Sequence, residues 1–399
     1  MTTGPLFQAP SGDAPAGHHH YKRPLSPYER FMAEEGIPVH YGIGVHDIRE
    51  LELGDWKRMG GRGVFLQLDG LQGVKGMYVV EAPARGALNP ERHLYDEFFL
   101  VIEGRGTTEV WQDGSDRKQV FEWQPGALFM APLNAWHRLV NATSAPALVL
   151  VANNAPPIMN IYQSRRFIFD NPHQFTERYN AQDDYFKTVD QLETDPVRGR
   201  AWLRANVYAD IVKCELPLDN QRAPGYRRIQ PGFWGYEQDG AAGGFIAQYP
   251  IGRYSKGHFH RSGAVVVCLQ GKGYTYTWPR EIGPQPWSNG KAHLVKRQEY
   301  VAGGLVAAAP GGGEWFHQHF GVGAEPLRVI NFWGGPIPAW GVNDEQESEI
   351  KAGNLYSIYD GGRTIMYPEE DPYVRNEYRA LLESDRMPHQ MPDELYQAK

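Results

Sequence analysis

Cysteine, long apolar runs and basic clusters are all scarce in this sequence, and each shortage excludes a class of protein. The two cysteines, Cys214 and Cys268, are too few for a disulfide framework, so we expect a reducing compartment and a cytoplasmic protein. No apolar run is long enough to span a bilayer, and residues 1–24 lack the apolar core expected of a signal peptide. A formal net charge of −7 without a basic tract makes nucleic acids and membrane surfaces poor candidates for partners.

Glycine, proline and aromatic residues, in contrast, are abundant. The 399 residues include 45 glycines and 30 prolines, and 13% are aromatic, which favours a β-rich fold with many tight turns. A chain of this length can form two domains of ordinary size, each with its own core. The histidines at 18–20 lie in a lead rich in Gly, Pro and Ala, so we interpret them as part of a flexible tail rather than as a metal site.

The residue pattern divides the chain into two β-rich blocks joined by a polar connector. Short apolar or alternating runs such as EFFLVIEG and AVVVCLQG, bounded by Gly, Pro, Asn and Asp, predict strands. A helix is predicted over 26–38, with Ser26 and Glu29 as its capping box and Gly36 at its end, and another over 371–385. The predicted domains are an N-terminal arm and helix (1–46), a first barrel (47–159), a connector (160–206), a second barrel (207–340) and a tail with a helix (341–399).

The two β-rich blocks repeat one order of parts. Each contains a His-bearing segment, a glycine turn, a strand, a loop and a second His-bearing strand that follows a Pro/Gly turn. An internal repeat of this kind predicts two small β-barrels in one chain, and we therefore expect an all-β fold.

The second block contains two closely spaced pairs of histidines. His258 and His260 are two residues apart, so on an extended segment both side chains point to one face, as do those of His317 and His319. An antiparallel barrel places distant strands side by side, so a third imidazole can join the first pair. Three imidazoles on one side of a metal ion leave about three octahedral positions open for a chelating substrate and a further ligand. The alternative is that these are surface or core histidines that bind no metal.

The spacing around these histidines resembles the two-part cupin motif. The residues that match its first part are Gly252, His258, His260 and Gly271, and Ala264 stands at the position of its glutamate. A His-x-His pair without that glutamate, together with a W-x-H-x-H element, resembles the gentisate and salicylate dioxygenases, which are iron(II)-dependent, ring-cleaving bicupins. The resemblance implies two jelly-roll barrels (double-stranded β-helices), with short helices at the N-terminus, in the connector and at the C-terminus.

The resemblance also implies roles for individual residues of this chain. The implied metal ligands are His258, His260 and His317, and His319 would be a catalytic side chain that hydrogen-bonds to the substrate. The arginine with which the family grips a substrate carboxylate is replaced here by Val266, and the candidates to replace it are Arg253, Arg261 and Arg328. The aromatic residues that could line a substrate pocket, or alternatively form barrel core, are Tyr254, Tyr274, Tyr276, Trp278 and Trp315.

The first block matches the same motif with a mixed set of residues. The candidate ligands of a second metal site are Glu91, His93, Glu97 and His137. Two imidazoles and two carboxylates suit iron, manganese or zinc. The alternative is a vestigial cupin in which Glu97 forms an ion pair and His137 a structural hydrogen bond.

The leading hypothesis for function is an iron(II)-dependent dioxygenase, with Mn or Zn as alternative metals. It would cleave the ring of a hydroxylated or amino-substituted aromatic compound, with the substrate and O2 side by side on the three-His site. A second hypothesis is a metal-dependent isomerase, lyase or decarboxylase, and a third is a non-enzymatic bicupin that binds a small molecule. By analogy with the family, we expect a homo-oligomer.

Overall fold

The structure, a computed structural model, describes residues 23–188, 191–194, 201–233, 244–260, 263–311, 314–334 and 355–397. The histidines at 18–20 and Arg261 lie outside these ranges. The described part of the chain is mostly β-sheet with a few short helices, which confirms the all-β bicupin prediction. No helix in the described ranges is both long and apolar enough to cross a membrane.

The first barrel pairs an eight-stranded sheet with a three-stranded one. The strands of the larger sheet are β1 (Val39–Gly42), β3 (Gly54–Trp56), β4 (Gly61–Leu68), β5 (Gly76–Ala82), β6 (Glu97–Glu103), β9 (Leu128–Met130), β11 (Ala147–Asn153) and β14 (Val207–Tyr208). The strands of the smaller sheet are β7 (Gly106–Trp111), β8 (Gln119–Trp123) and β10 (Trp136–Asn141).

The second barrel repeats this plan. Its larger sheet contains β2 (Gly44–Val45), β12 (Glu193–Thr194), β13 (Ala201–Arg204), β15 (Arg227–Gly232), β16 (Gly244–Tyr249), β17 (Gly263–Gln270), β20 (Leu305–Ala307) and β22 (Leu327–Gly334). Its smaller sheet contains β18 (Lys272–Pro279), β19 (Lys296–Val301) and β21 (Trp315–Gly321).

Two short strands pair across the predicted domain boundaries. Strand β2, which precedes the first barrel, pairs antiparallel with β20 of the second barrel through Gly44 and Val306. Strand β14, placed by the sequence at the start of the second barrel, pairs with β9 of the first barrel through Val207 and Phe129. The domain boundaries themselves stay a prediction, but the backbone hydrogen bonds tie each barrel to a strand from beyond its expected limits.

Alternation along the strands separates three hydrophobic cores. On β6, Phe99 and Val101 point into the first barrel, whereas Phe98 and Leu100 belong to a core shared by both barrels. This shared core contains apolar residues from both eight-stranded sheets, which indicates that the sheets pack face to face. The interior of the second barrel has its own core, in which Val266 and Val329 participate.

The helices lie where the sequence predicts them. Helix α1 (Pro27–Glu35) has Ser26 and Glu29 as a reciprocal capping box, and Gly36 ends it with a φ of 71°. Helix α2 (Ala155–Tyr162) spans the predicted boundary between the first barrel and the connector, and α3 (Arg165–Phe169) lies in the connector. Helix α4 (Pro372–Ser384) lies in the C-terminal segment, and its Tyr378 and Leu382 join a fourth core against the outer face of β18 and β21. The C-terminal segment therefore packs on the second barrel.

Candidate metal centres

The two barrels present their candidate ligands on equivalent elements. In the second barrel, His258 and His317 exchange both backbone hydrogen bonds, with N–O distances of 3.1 and 2.9 Å. In the first barrel, Glu91 and His137 do the same at 3.0 and 2.9 Å. In each barrel a segment between two strands of the large sheet, β5 and β6 or β16 and β17, is thus paired with the last strand of the small sheet. This equivalence supports the internal repeat that the sequence predicts.

The turn before the last ligand is also shared. Asn134 precedes His137 by three residues with a φ of 57°, and Glu314 precedes His317 by three residues with a φ of 50°. Both are in a left-handed conformation that non-glycine residues seldom adopt. Both barrels therefore have the same kind of turn three residues before the last imidazole.

The second barrel brings His258, His260 and His317 together as a ligand set. Their candidate ligand atoms all lie within 4.8 Å of one another, and His258 Nε2 is 3.0 Å from His317 Nε2. The other ring nitrogen of each of these two histidines faces a backbone carbonyl, that of Lys256 and that of Trp315 respectively, at 3.2 Å. A carbonyl only accepts, so Nδ1 carries the proton and donates, and the two Nε2 lone pairs face each other.

A cation fits between these two nitrogens. Burial, helped by the positive charge of Arg222 and the other imidazoles, lowers the pKa of His258 well below its ordinary value. Burial likewise lowers the pKa of His317 well below its ordinary value. Both rings are therefore neutral near pH 7, and their facing lone pairs repel unless a metal ion lies between them. Among the residues that the structure describes, this ligand group consists of imidazoles and contains no carboxylate.

His319 lies beside the ligand set and not within it. Its ring centroid is 5.6 Å from that of His317 and 6.3 Å from that of His258. Its Nδ1 is 2.8 Å from the hydroxyl of Thr275, which in turn is 3.0 Å from the hydroxyl of Tyr300. Burial, followed by the charge of Arg222, lowers the pKa of His319 to about 3, so this ring is neutral as well.

One cationic side chain, that of Arg222, lies close to the histidines. Lys256 lies two residues before His258 in the same segment. The backbone carbonyl of Arg222 accepts from Lys256 N at 2.8 Å, which places Arg222 beside the same segment. The charge of Arg222 acts on His258, His317 and His319 alike. The surroundings of the site are therefore positively charged and favour an anion.

The structure corrects the expected aromatic lining. Tyr254 is fully buried and stacks on Phe320, which lies on the opposite face of β21 from the histidines. Its hydroxyl contacts Glu370 and Tyr396 of the C-terminal segment. Three other aromatic residues that were expected to line the pocket belong to the same outer core: Tyr274, Tyr276 and Trp278. Alternation explains the difference, because the β18 residues that face the histidines are the threonines between these aromatics.

The other proposed substrate residues are placed as follows. Trp315 is half-buried and shares the strand face of His317 and His319. The prediction that Arg328 binds the substrate is wrong. Its guanidinium donates to the carbonyl of Cys214 at 2.6 Å and to Gln248 at 3.3 Å, beside the shared core and away from the histidines. Arg253 donates to backbone carbonyls of Pro224 and Gln390. Neither of these two arginines is available to a ligand on the histidines.

The first barrel brings together Glu91, His93, Glu97 and His137, all of them buried, with candidate ligand atoms within 4.8 Å of one another. His93 Nε2 is 3.1 Å from a Glu97 oxygen, and its Nδ1 donates to the carbonyl of Tyr95 at 2.9 Å. His137 Nδ1 donates to the carbonyl of Ala135 at 3.1 Å. Its buried Nε2 has no hydrogen-bond partner and lies 3.9 Å from Glu91 Oε1. This donor set, with one orphaned nitrogen, fits a cation.

The negative charge of the first centre is compensated by an arginine. Arg58 donates to Glu91 at 2.5 Å and to Glu35 of helix α1 at 2.7 Å. Burial raises the pKa of Glu91, but Arg58 and the imidazoles outweigh it, so the pKa is lowered overall. Burial lowers the pKa of His93, but Glu97 outweighs it and the pKa is raised. The sequence did not predict the role of Arg58, because this residue belongs to no part of the motif.

Comparisons with known proteins agree with this fold. Residues 78–153 match the family model of the cupin domain, and the two barrels together give the chain a bicupin fold. No protein among those with curated descriptions is similar to this chain in sequence.

Solved structures give a weaker likeness. Oxalate decarboxylase of Lactobacillus farciminis, solved as a formate complex, is 11% identical with a TM-score of 0.44, over 73% of this chain and 86% of that one. Oxalate decarboxylase of Bacillus subtilis, from work on its Mn(II) centres, is 12% identical with a TM-score of 0.45, over 74% and 78%. Vicilin of hazelnut, Corylus avellana, is 11% identical with a TM-score of 0.44, over 73% and 85%.

Proposed function

We propose that this protein is a metal-dependent enzyme that acts on a small anionic substrate in its second barrel. The observation that carries the proposal is the 3.0 Å approach of His258 Nε2 and His317 Nε2, two neutral nitrogens that face each other. His260 completes a set of three imidazoles around the same point. Nitrogen ligands of this kind are compatible with Fe2+, Mn2+ and Zn2+. A bound ion would supply Lewis-acid polarisation of a coordinated oxygen.

The charge around this set supports an anion as the substrate. Three neutral ligands leave the positive charge of an ion uncompensated, and Arg222 adds to it. A carboxylate with a neighbouring carbonyl or hydroxyl oxygen offers a negative charge and two donor atoms. His319, which Thr275 anchors through Nδ1, would exchange a hydrogen bond or a proton with an oxygen of the bound substrate.

We favour a non-oxidative reaction, as in an isomerase, a lyase or a decarboxylase. The aromatic side chains expected to line a ring-binding pocket lie on the outer face of the small sheet, which removes one support for an aromatic substrate. A ring-cleaving iron(II) dioxygenase is the second candidate. It is favoured by the all-imidazole ligand set, because this leaves positions for both a chelating substrate and O2.

The first experiment measures the metal content of protein purified without oxygen, for the unchanged chain, His258→Ala and His93→Ala. We expect about one equivalent in the second barrel, retained in His93→Ala and lost in His258→Ala. Retention of all metal in His258→Ala would contradict the proposed centre. Metal lost only in His93→Ala would move the chemistry to the first barrel.

The second experiment separates the two reaction classes. The chain loaded with Fe2+ is mixed with small hydroxy- and oxo-carboxylates and, separately, with dihydroxy- and aminohydroxybenzoates, while an electrode records O2. Turnover of a carboxylate without O2 uptake supports the non-oxidative reaction. Stoichiometric O2 uptake with a ring compound would overturn it in favour of the dioxygenase, and tight retention of a ligand without turnover would favour a binding protein.

A further inference from the structure

Residues 363–365 of the C-terminal segment form an isolated β-bridge beside the ligand His258. The backbone N of Phe259 donates to Arg363 O at 3.1 Å, and Ile365 N donates to Gly257 O at 2.7 Å. His258 is thus bridged to Thr364 on one side and to His317 on the other. The segment that carries two of the three ligands is therefore held between β21 and residues 363–365.

A buried side-chain network joins the same segment to the strand of His317 and His319. Glu370, 6% exposed, accepts from Gln318 Nε2 at 3.1 Å and from the hydroxyl of Tyr254. Gln318 also donates to the carbonyl of Ser255 at 2.9 Å. Gln318 lies between His317 and His319, with its side chain on the opposite face of the strand.

Ser255 closes the network onto the histidine beside the ligands. Its hydroxyl accepts from His319 N at 2.8 Å, and its own N donates to His319 O at 3.0 Å. Tyr367 adds a further tie, because its hydroxyl donates to the carbonyl of Tyr254 at 2.8 Å. Both ligand-bearing segments are therefore held by residues 363–370, through backbone bonds of Arg363 and Ile365 and side-chain bonds of Tyr367 and Glu370.

We infer that residues 363–370 are a positioning element for the second metal centre, with Glu370 as the side chain that couples them to the strand of His317 and His319. Side chains that orient metal ligands from outside the ligand set typically change metal affinity by about 10- to 100-fold when they are removed. Glu370 acts through Gln318 and Ser255, so we place its effect at the lower end, about ten-fold. The inference depends on the proposed metal centre in the second barrel.

The test measures Mn2+ affinity by titration calorimetry and the Mn2+ electron paramagnetic resonance spectrum, in a His93→Ala background so that only the second barrel reports. Glu370→Ala is compared with Asp371→Ala as the matched control. Asp371 is buried beside Glu370 and caps helix α4 by accepting from Tyr373 N. It also accepts from Ser288 N at 2.8 Å, and these contacts involve neither ligand segment. Both variants should lower the melting temperature.

We expect Glu370→Ala to bind Mn2+ about ten-fold more weakly with an altered spectrum, and Asp371→Ala to bind within two-fold of its parent. Equal losses in both variants, or none in Glu370→Ala, would overturn the inference while leaving the metal centre in place. No Mn2+ binding by the His93→Ala parent would overturn the metal centre itself and the inference with it. If Glu370→Ala does not fold, Tyr254→Phe removes one bond of the network and should show the same loss in smaller measure.

Discussion

At the scale of the residue, Arg58 has two buried carboxylates as partners in the first barrel. Glu35 is 2% exposed and Glu91 10%; Arg165 also pairs with Glu35, whereas Arg58 is the arginine that pairs with Glu91. Removing one partner of a buried ion pair typically costs about 3–5 kcal/mol, because the remaining charge stays buried. We expect Arg58→Gln to lower the free energy of unfolding by about 3 kcal/mol, measured by urea denaturation.

The matched control is Arg62→Gln on the neighbouring strand β4. Arg62 is 50% exposed and pairs with Glu81 at 3.2 Å, a surface pair that is typically worth less than about 1 kcal/mol. Equal losses in the two variants would show that Arg58 does not compensate the first centre.

Glu370 makes a pH-dependent contribution to stability. Burial, with Asp371 adding and Tyr254, Gln318 and Arg375 opposing, raises its pKa from 4.5 to about 8. A carboxyl whose pKa is higher in the folded state binds more protons when folded, so its contribution is fully present below pH 4.5 and is lost as the pH rises through 8. We expect the free energy of unfolding to fall across this window by up to about 1.4 kcal/mol per pH unit from this group alone.

Glu370→Gln should remove this slope, which chemical denaturation at a series of pH values measures. Glu383→Gln, on the exposed face of helix α4, is the control and should keep it. An unchanged slope in Glu370→Gln would place the titration on another group.

At the scale of the element, strand β2 attaches the N-terminal segment to the second barrel, and the backbone of Gly44 is tightly packed there. A Cβ on Gly44 would lie 2.3 Å from the carbonyl oxygen of Leu305 and 2.8 Å from the Gln298 side chain. The backbone oxygen cannot move without breaking the pairing of β2 with β20. We expect Gly44→Ala to cost about 1–3 kcal/mol, as overpacking typically does, measured by thermal unfolding.

Tyr41→Ala is the control for Gly44→Ala, because Tyr41 is 68% exposed on the neighbouring β1. Its truncation should change stability by less than about 0.5 kcal/mol. If Gly44→Ala were as mild as this, β2 would not be a structural part of the second barrel.

At the scale of the whole molecule, the two barrels share one core. Apolar residues of both eight-stranded sheets form it, among them Phe98 and Leu100 from one barrel and Val265 and Phe332 from the other. Neither barrel can open without exposing this surface. We therefore expect one cooperative thermal transition in calorimetry, with equal calorimetric and van't Hoff enthalpies, and separate transitions for the two barrels would contradict it.

Homo-oligomerisation stays a prediction, which light scattering after gel filtration tests.

The sequence by itself determined the local features of this protein. Alternating apolar runs predicted the strands, Ser26 and Glu29 predicted the start of a helix, and motif spacing predicted both groups of candidate ligands. These features depend on neighbours within a few residues, and the pleat of a strand or the pitch of a helix fixes where those side chains point.

Only the tertiary structure decided what surrounds the candidate ligands. Arg58 reaches Glu91 from 33 residues away, and Glu370 reaches Gln318 from 52 and Tyr254 from 116. No periodicity or motif records such contacts, because they depend on how sheets and helices pack after they have formed. Packing also decided where Tyr254 and its aromatic neighbours lie, which is on the outer face, against the C-terminal segment. From the sequence alone, these residues could have lined a substrate pocket or formed core.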